Sequence, residues 1–366
     1  MYIDSWRWYQ DFQWQAIREG NREHMRLPQL YQTGWQYLEA AQYNQSIGIF
    51  KQGIELAREM QLPMWEFFFE SWVCELNVLA ANYKEALDWT TRLVSKSTRP
   101  EHEDHPCRAV VYFSLAWVYF YLDAIGYETE ILQALDALEN DMPLDEETHH
   151  RSIFVRAELA YEKENYVQAL AISDRYMNLV DGNPFRETSG YGMQRAVAYA
   201  QGDIHTALRA VGLREQSSRD ANLLNNAANS VLWEAVLCQY DGQADKAETL
   251  IKRGMDEYTA LSLPIQSSYY HILAEYETAR GNYRTALEYR DQQLLLAIAS
   301  GSLSTEFYCR LDRCLLLNRI GQDATDALQA TEATAKRCRK PDFFLAKIAA
   351  VRAGQKTRYA WQASYK

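Results

Sequence analysis

Residues 82–87 read Asn-Tyr-Lys-Glu-Ala-Leu, and residues 281–287 read Gly-Asn-Tyr-Arg-Thr-Ala-Leu. In both, an aromatic residue follows a turn former. A small residue comes three places later and an aliphatic one four places later. The spacing recurs at Tyr43/Ser46/Ile47, Tyr127/Glu130/Ile131, Tyr166/Ala169/Leu170, Ile204/Ala207/Leu208, Ala244/Ala247/Glu248 and Ala324/Ala327/Leu328. The eight lead residues, at 43, 83, 127, 166, 204, 244, 283 and 324, stand 38–44 positions apart. Self-similarity at that period predicts helical hairpins stacked in series, each touching only its neighbours.

The motif has a mechanical reading. On a helix, residues four apart share a face. The lead aromatic then packs back on the preceding helix, and the small residue lets the two helices approach closely. Punctuation agrees with the repeat. The eight prolines (28, 63, 100, 106, 143, 184, 264 and 341) fall between hairpins or at the two ends of the array, where a missing N–H costs least. Asn82, Gly126, Asn165, Gly202, Gly242, Gly281 with Asn282, and Gly321 mark the tight turns, as residues that accept a left-handed conformation.

Each unit therefore reads as a first helix, a short turn and a second helix. First helices are expected near 28–41, 64–80, 106–123, 146–163, 185–200, 219–240, 265–280 and 303–319. Second helices are expected near 44–61, 83–98, 127–140, 166–179, 203–217, 243–261, 283–300 and 323–338. A leading helix near 3–18 and a closing one near 342–353 flank them. The alternating polarity of a half-buried strand is absent. The predicted organisation is a capping helix in 1–27, eight repeats in 28–338 and a basic cap or tail in 339–366.

The turn and second helix quoted above resemble those of tetratricopeptide repeats over roughly residues 28–338. The period here is nearer 40 than the usual 34. With Gln-Leu-Pro at 61–63 and Ser-Leu-Pro at 262–264, it looks more like the long-repeat arrays of bacterial MalT-type and peptide-pheromone-receptor regulators. The resemblance implies an all-α, right-handed α-solenoid of eight helix-turn-helix repeats whose first helices line a concave groove. It implies non-catalytic binding of a protein or peptide there, by a scaffold or adaptor. A peptide-signal sensor, or a regulatory subunit for an enzyme or transcription factor, is the alternative. Counting back from each turn, the inward positions include Phe68, Ser71, Glu75, Tyr112, Tyr119, Arg151, Phe154, Glu158, Tyr161, Tyr199, Trp233, Tyr240, His271 and Glu275. Aromatics beside charges suit peptide recognition. The Lys/Asn set with which one family variant clamps a terminal carboxylate is not found.

The formal charge is −11 from 38 basic and 49 acidic residues. Residues 336–366 hold nine Lys/Arg (336, 337, 339, 340, 347, 352, 356, 358 and 366) against Asp342, which leaves 29 against 48, or −19, in the rest. The acidic body argues against broad nucleic-acid binding. The basic end reads first as a solvated cap and second as a seat for RNA or an acidic partner. Cys74, Cys107, Cys238, Cys309, Cys314 and Cys338 include no CxxC pair, which predicts a reducing compartment. The N-terminus lacks the regions of a signal peptide. The longest apolar run, 109–122, is about 14 residues, short of the ~20 that span a bilayer. These features predict a soluble, cytoplasmic protein.

Two further clusters stand out. His102 and His105 lie in Glu-His-Glu-Asp-His-Pro (101–106), and His149 and His150 in Asp-Glu-Glu-Thr-His-His (145–150). With adjacent acids they could gather zinc or nickel, but polar connecting loops attract such residues without a metal, and no metal or cofactor is assigned. Trp6, Trp8, Phe12 and Trp14 cannot all share one helical face, so some meet solvent, a partner or a second copy, unless they pack on the first hairpin. HExxH, a P-loop, a nucleophile elbow and a complete dinucleotide fingerprint are all absent, and Gly190-Tyr191-Gly192 is a lone GxG. The chain is expected not to be an enzyme.

Overall fold

Eighteen α-helices in consecutive packed pairs, with no strand among the described residues, make up the computed structural model. It describes residues 3–102, 105–141, 146–262 and 265–353. The flanking helices are α1 (Ile3–Glu19) and α18 (Pro341–Arg352). Between them run the hairpins α2 (Arg26–Glu39) with α3 (Tyr43–Glu59), α4 (Pro63–Leu79) with α5 (Tyr83–Ser97), α6 (Arg108–Asp123) with α7 (Glu128–Asp141), and α8 (Glu146–Glu162) with α9 (Tyr166–Val180). They continue as α10 (Pro184–Gln201) with α11 (Ile204–Asp220), α12 (Leu224–Tyr240) with α13 (Ala244–Ala260), α14 (Ser267–Ala279) with α15 (Tyr283–Ser300), and α16 (Leu303–Arg319) with α17 (Thr325–Arg337). This is the all-α helical-repeat class read from the sequence, eight hairpins included. Pro143, Pro264, Lys356, Arg358 and Lys366 lie outside the described residues, as does the side chain of Trp6.

The turns are built on one device. A residue with positive φ follows the first helix, and the next residue returns its N–H to a carbonyl five positions back. Gln42→Tyr37, Asn82→Asn77, Asn165→Ala160, Asp203→Ala198, Gln243→Cys238, Asn282→Glu277 and Gln322→Leu317 all do so at 2.8–3.0 Å, which satisfies carbonyls the helix end leaves open. The left-handed residue is therefore Ala81 (φ 59°) or Glu164 (φ 61°), not Asn82 or Asn165. Asn165 instead caps the next helix, its side chain accepting from Gln168 N–H. Gly126 is not left-handed either. Its N–H donates to Asp123 Oδ1 at 2.9 Å, and a Cβ there would sit 2.2 Å from Asp123 Oδ2. The helix expected from 219 begins only at Leu224, because Asn222 turns left-handed (φ 56°) and ends α11 first.

Close packing falls where the motif places it. Ser46, Ala86, Ala169, Ala207, Ala247 and Ala286 are fully buried. Ser46 Oγ donates to Gly34 O at 2.7 Å, which brings α3 onto α2. First helices are walled in more fully. In α4, Trp65, Phe67, Phe68, Phe69, Trp72, Val73, Cys74 and Leu76 are all buried, since α4 meets α3, α5 and α2. A helix apolar on every side belongs inside.

The contacts divide the chain into two compact units, residues 1–122 with 127–155, and residues 123–126 with 156–366. Strictly serial contact fails in the second unit. Lys347 of α18 pairs with Glu164, and Arg339 N–H donates to Asp123 Oδ2 at 3.1 Å. Ile125 joins the cluster of Phe307, Leu311 and Phe344. The described part of the basic end is thus partly engaged in the core rather than wholly solvated. None of the six cysteines is in a disulfide, and all are buried; burial pushes the Cys309 and Cys338 thiols up to about 12. No helix among the described residues is long and apolar enough to cross a membrane.

Candidate functional site

In the first unit, three successive first helices meet through one side chain. Arg151 of α8 lies over the Phe113 ring of α6, 5.2 Å from its centroid. It donates from Nη1 to Glu75 Oε1 of α4 at 2.9 Å. Both members of the pair keep part of their surface in solvent. Tyr112, Tyr119 and Phe154 are also half-buried. Tyr119 stacks on Tyr127 (4.7 Å, 20°) and Phe154 lies 6.2 Å from Trp117. Phe68 and Ser71 are core residues, contrary to the expected groove. Phe68 packs among Trp8, Tyr31 and Trp65, and Ser71 Oγ donates back to Phe67 O.

In the second unit Glu158 and His271 are half-buried, whereas Tyr161, Tyr199, Trp233, Tyr240 and Glu275 are buried. These five, expected to line the concave groove, have little surface to offer a partner, because first helices pack on one another as well as on second helices. α12, for example, lies against α14. Trp233 packs edge-on to Tyr199 (5.1 Å) and to His271 (5.6 Å). The Arg195 guanidinium covers its face at 4.1 Å. Tyr199 donates from its hydroxyl to Glu275 Oε2 at 2.6 Å. Burial raises the Tyr240 hydroxyl pKa well above its ordinary range.

Glu275 belongs to a buried network that the sequence pattern did not announce. Arg290 donates from Nη2 to Glu275 Oε1 and pairs with Asp312 at 3.2 Å. Its Nη1 donates to Gln293 Oε1 at 2.7 Å and to His271 Nδ1 at 2.5 Å. A guanidinium cannot accept, so His271 is the acceptor and carries its proton on Nε2. A signal for Arg290 was present in the repeat register. Seven residues after the lead, the other copies carry Phe50, Thr90, Ala134, Ser173, Val211, Ile251 and Thr331, all uncharged and buried.

His102 and His105 are packed against aromatic rings, while His149 and His150 lie in the first turns of α8 with ring centroids 6.2 Å apart. His102 stacks on Phe67 (4.8 Å, 17°), and His105 lies 5.2 Å from Trp8. His105 Nδ1 accepts from Cys107 N–H at 3.0 Å, so Nε2 bears the proton and donates to Met64 O at 3.0 Å. Burial lowers its pKa to about 4, and it lowers that of His102 as well. Both nitrogens of His105 are thus committed to the backbone. No group of three or more His, Cys, Asp or Glu suited to a metal gathers among the described residues; Glu103, Asp104 and Asp145 lie outside them. Trp8 and Phe12 of α1 pack on Trp65, and Trp14 stays exposed. An open depression lined by Asp245, Lys252, Asp256 and Glu257, among others, belongs to α13 alone, so it is a helix face and not a cleft.

The hairpins define the class, an all-α protein of helical-hairpin repeats. No protein-family model matches the chain, and no curated protein matches it. Among solved structures it is similar to a signal transduction ATPase with numerous domains from Pyrococcus horikoshii, described as carrying a tetratricopeptide repeat sensor. The TM-score is 0.46 and the identity 13%, over 87% of this chain and 51% of that one. The chain thus spans about half the length of that protein.

Proposed function

We propose that the chain is a non-catalytic scaffold that binds a protein or peptide along its first helices. The observation that carries this reading is the half-buried band of Glu75, Tyr112, Arg151 and Phe154 on α4, α6 and α8. Helices otherwise walled in on several sides leave aromatic and charged side chains partly open there. Such rings supply binding energy by burial, and the charges select orientation. The pairing of Arg151 with Glu75 holds the guanidinium in place at little further entropic cost. The six buried thiols fit a reducing compartment. Cross-linking mass spectrometry on native cells tests the reading by naming the partner and the face together. Cross-links to residues flanking this band support it. Cross-links confined to second helices or to α1 and α18 contradict it.

A further inference from the structure

Arg214 breaks the rule of its register. Ten residues after the lead, the other seven copies carry Gly53, Leu93, Ala137, Tyr176, Gly254, Gln293 and Thr334, none of them charged. The position faces the helix interface, and of those residues all but Ala137 are buried. A charge there is costly unless something answers it.

No carboxylate pairs with it. The Arg214 Nε is buried without a hydrogen-bond partner, and no ion pair holds the guanidinium among the described residues. The charge of Glu158 acts on it electrostatically. The side chain runs from α11 across α10 at Gly192, where a Cβ would sit 3.1 Å from Nε, so the missing side chain at 192 opens its path. One turn further along α10, Arg195 presents a second guanidinium over Trp233. Burial is the main cause that lowers the Arg214 pKa to about 10, and the Arg195 charge adds to it; Arg214 therefore stays protonated near neutrality. Tyr258, which also faces Arg214 electrostatically, is within hydrogen-bond distance of Asn225 Oδ1 (2.9 Å) and Asn229 Oδ1 (2.8 Å). Those amide oxygens are turned to the tyrosine, which leaves the Asn229 NH2 as a further donor.

We infer that Arg214, with Asn229, receives an oxyanion carried by the bound peptide, either a carboxylate or a phosphoryl group. A forked guanidinium suits either through two parallel hydrogen bonds. The inference rests on the peptide-binding reading above and adds to it the chemistry of one subsite.

The test uses the full chain and an array of short random peptides printed in neutral, glutamate-containing and phosphoserine-containing versions. The wild type should retain acidic or phosphorylated versions over neutral ones, and whichever version wins identifies the source of the oxyanion. R214Q should lose about thirtyfold or more for those versions and bind the neutral ones as before. Its melting temperature should equal or exceed that of the wild type, since an unpaired charge at a half-buried position is removed. Retention without anion preference, or unchanged binding by R214Q, overturns the oxyanion subsite while peptide binding stands. Retention of no version at all ends both. A marked fall in melting temperature would mark Arg214 as structural and also overturn the subsite. The Nε–H resonance of Arg214 in the wild type, assigned with R214K, gives a readout independent of the variant's folding. It should shift on titration with inorganic phosphate, and a resonance that does not move counts against the proposal.

Discussion

Arg290 and Glu275 form an ion pair in which each side chain keeps only 4% of its surface exposed. The pair links α14 to α15, and Asp312 brings in α16. Removing Arg290 takes the cation from the buried Glu275 carboxylate, and removing Glu275 leaves Arg290 only the half-buried Asp312. Arg290→Met or Glu275→Leu alone should therefore cost about 3–5 kcal/mol. The Arg290→Met/Glu275→Leu double variant should cost clearly less than the sum, because both desolvation penalties go together. Urea denaturation of the three variants measures this. Additive losses would show that the pair is not coupled.

His105 makes stability fall with acid. Its folded pKa of about 4 lies below its ordinary 6.5, so the unfolded chain takes up the proton first. The contribution is complete above pH 6.5 and is lost as pH falls through 4. Each pH unit in that window costs up to about 1.4 kcal/mol, and about 3 kcal/mol is lost in all. Carboxylates contribute their own acid dependence, so the comparison is with His105→Gln, which should show a shallower slope between pH 6.5 and 4. Parallel slopes would contradict the assignment.

Small residues in this chain play two different parts, and substitution separates them. Gly48 and Gly212 sit in helices with ordinary φ, and a methyl group added there would meet nothing within 4 Å. Alanine at either should stabilise by about 0.4–1 kcal/mol. At Gly53 a Cβ would lie 2.7 Å from three atoms of the buried Phe69 ring. Gly53→Ala should destabilise by about 1–3 kcal/mol, and Ala169→Phe, at a fully buried position, by as much or more. Ala81→Gly should gain about 1 kcal/mol, since Ala81 holds a left-handed turn. Melting temperatures of the five variants check the signs.

Trp233 separates binding from folding. Its ring lies under Arg195 and against Tyr199 and His271. Trp233→Ala should cost about 3–5 kcal/mol of stability, not a selective 1–3 kcal/mol of binding. Tyr112→Ala, at a half-buried position, should leave the melting temperature within a few degrees while weakening the partner by about 1–3 kcal/mol. Calorimetry on the two variants with the cross-linked partner distinguishes these effects.

The repeat was legible because one face of most second helices keeps the same small residue against its partner helix, as Ser46, Ala86 and Ala169 show. The left-handed residues were not, because Ala81 and Glu164 carry no intrinsic preference for that conformation and are held there by the closing bonds of Asn82 and Asn165. The burial of Phe68 and Tyr199 was hidden for a tertiary reason. A first helix is covered from several sides, so its sequence shows little amphipathic contrast. His102 and His105 read as loop residues because nothing local announces that Trp8, some hundred positions earlier, covers His105. Arg290 and Arg214 were readable in principle, each being a charge in an otherwise uncharged register.

The most direct test of the scaffold reading follows the partner's cross-links in cells carrying either a first-helix variant or a second-helix control. Tyr112→Ala with Arg151→Ser alters the half-buried band, and Lys252→Glu alters the open face of α13. On the scaffold reading, the first abolishes the cross-links and the second leaves them intact. Cross-links that survive the first variant and vanish with the second would contradict it.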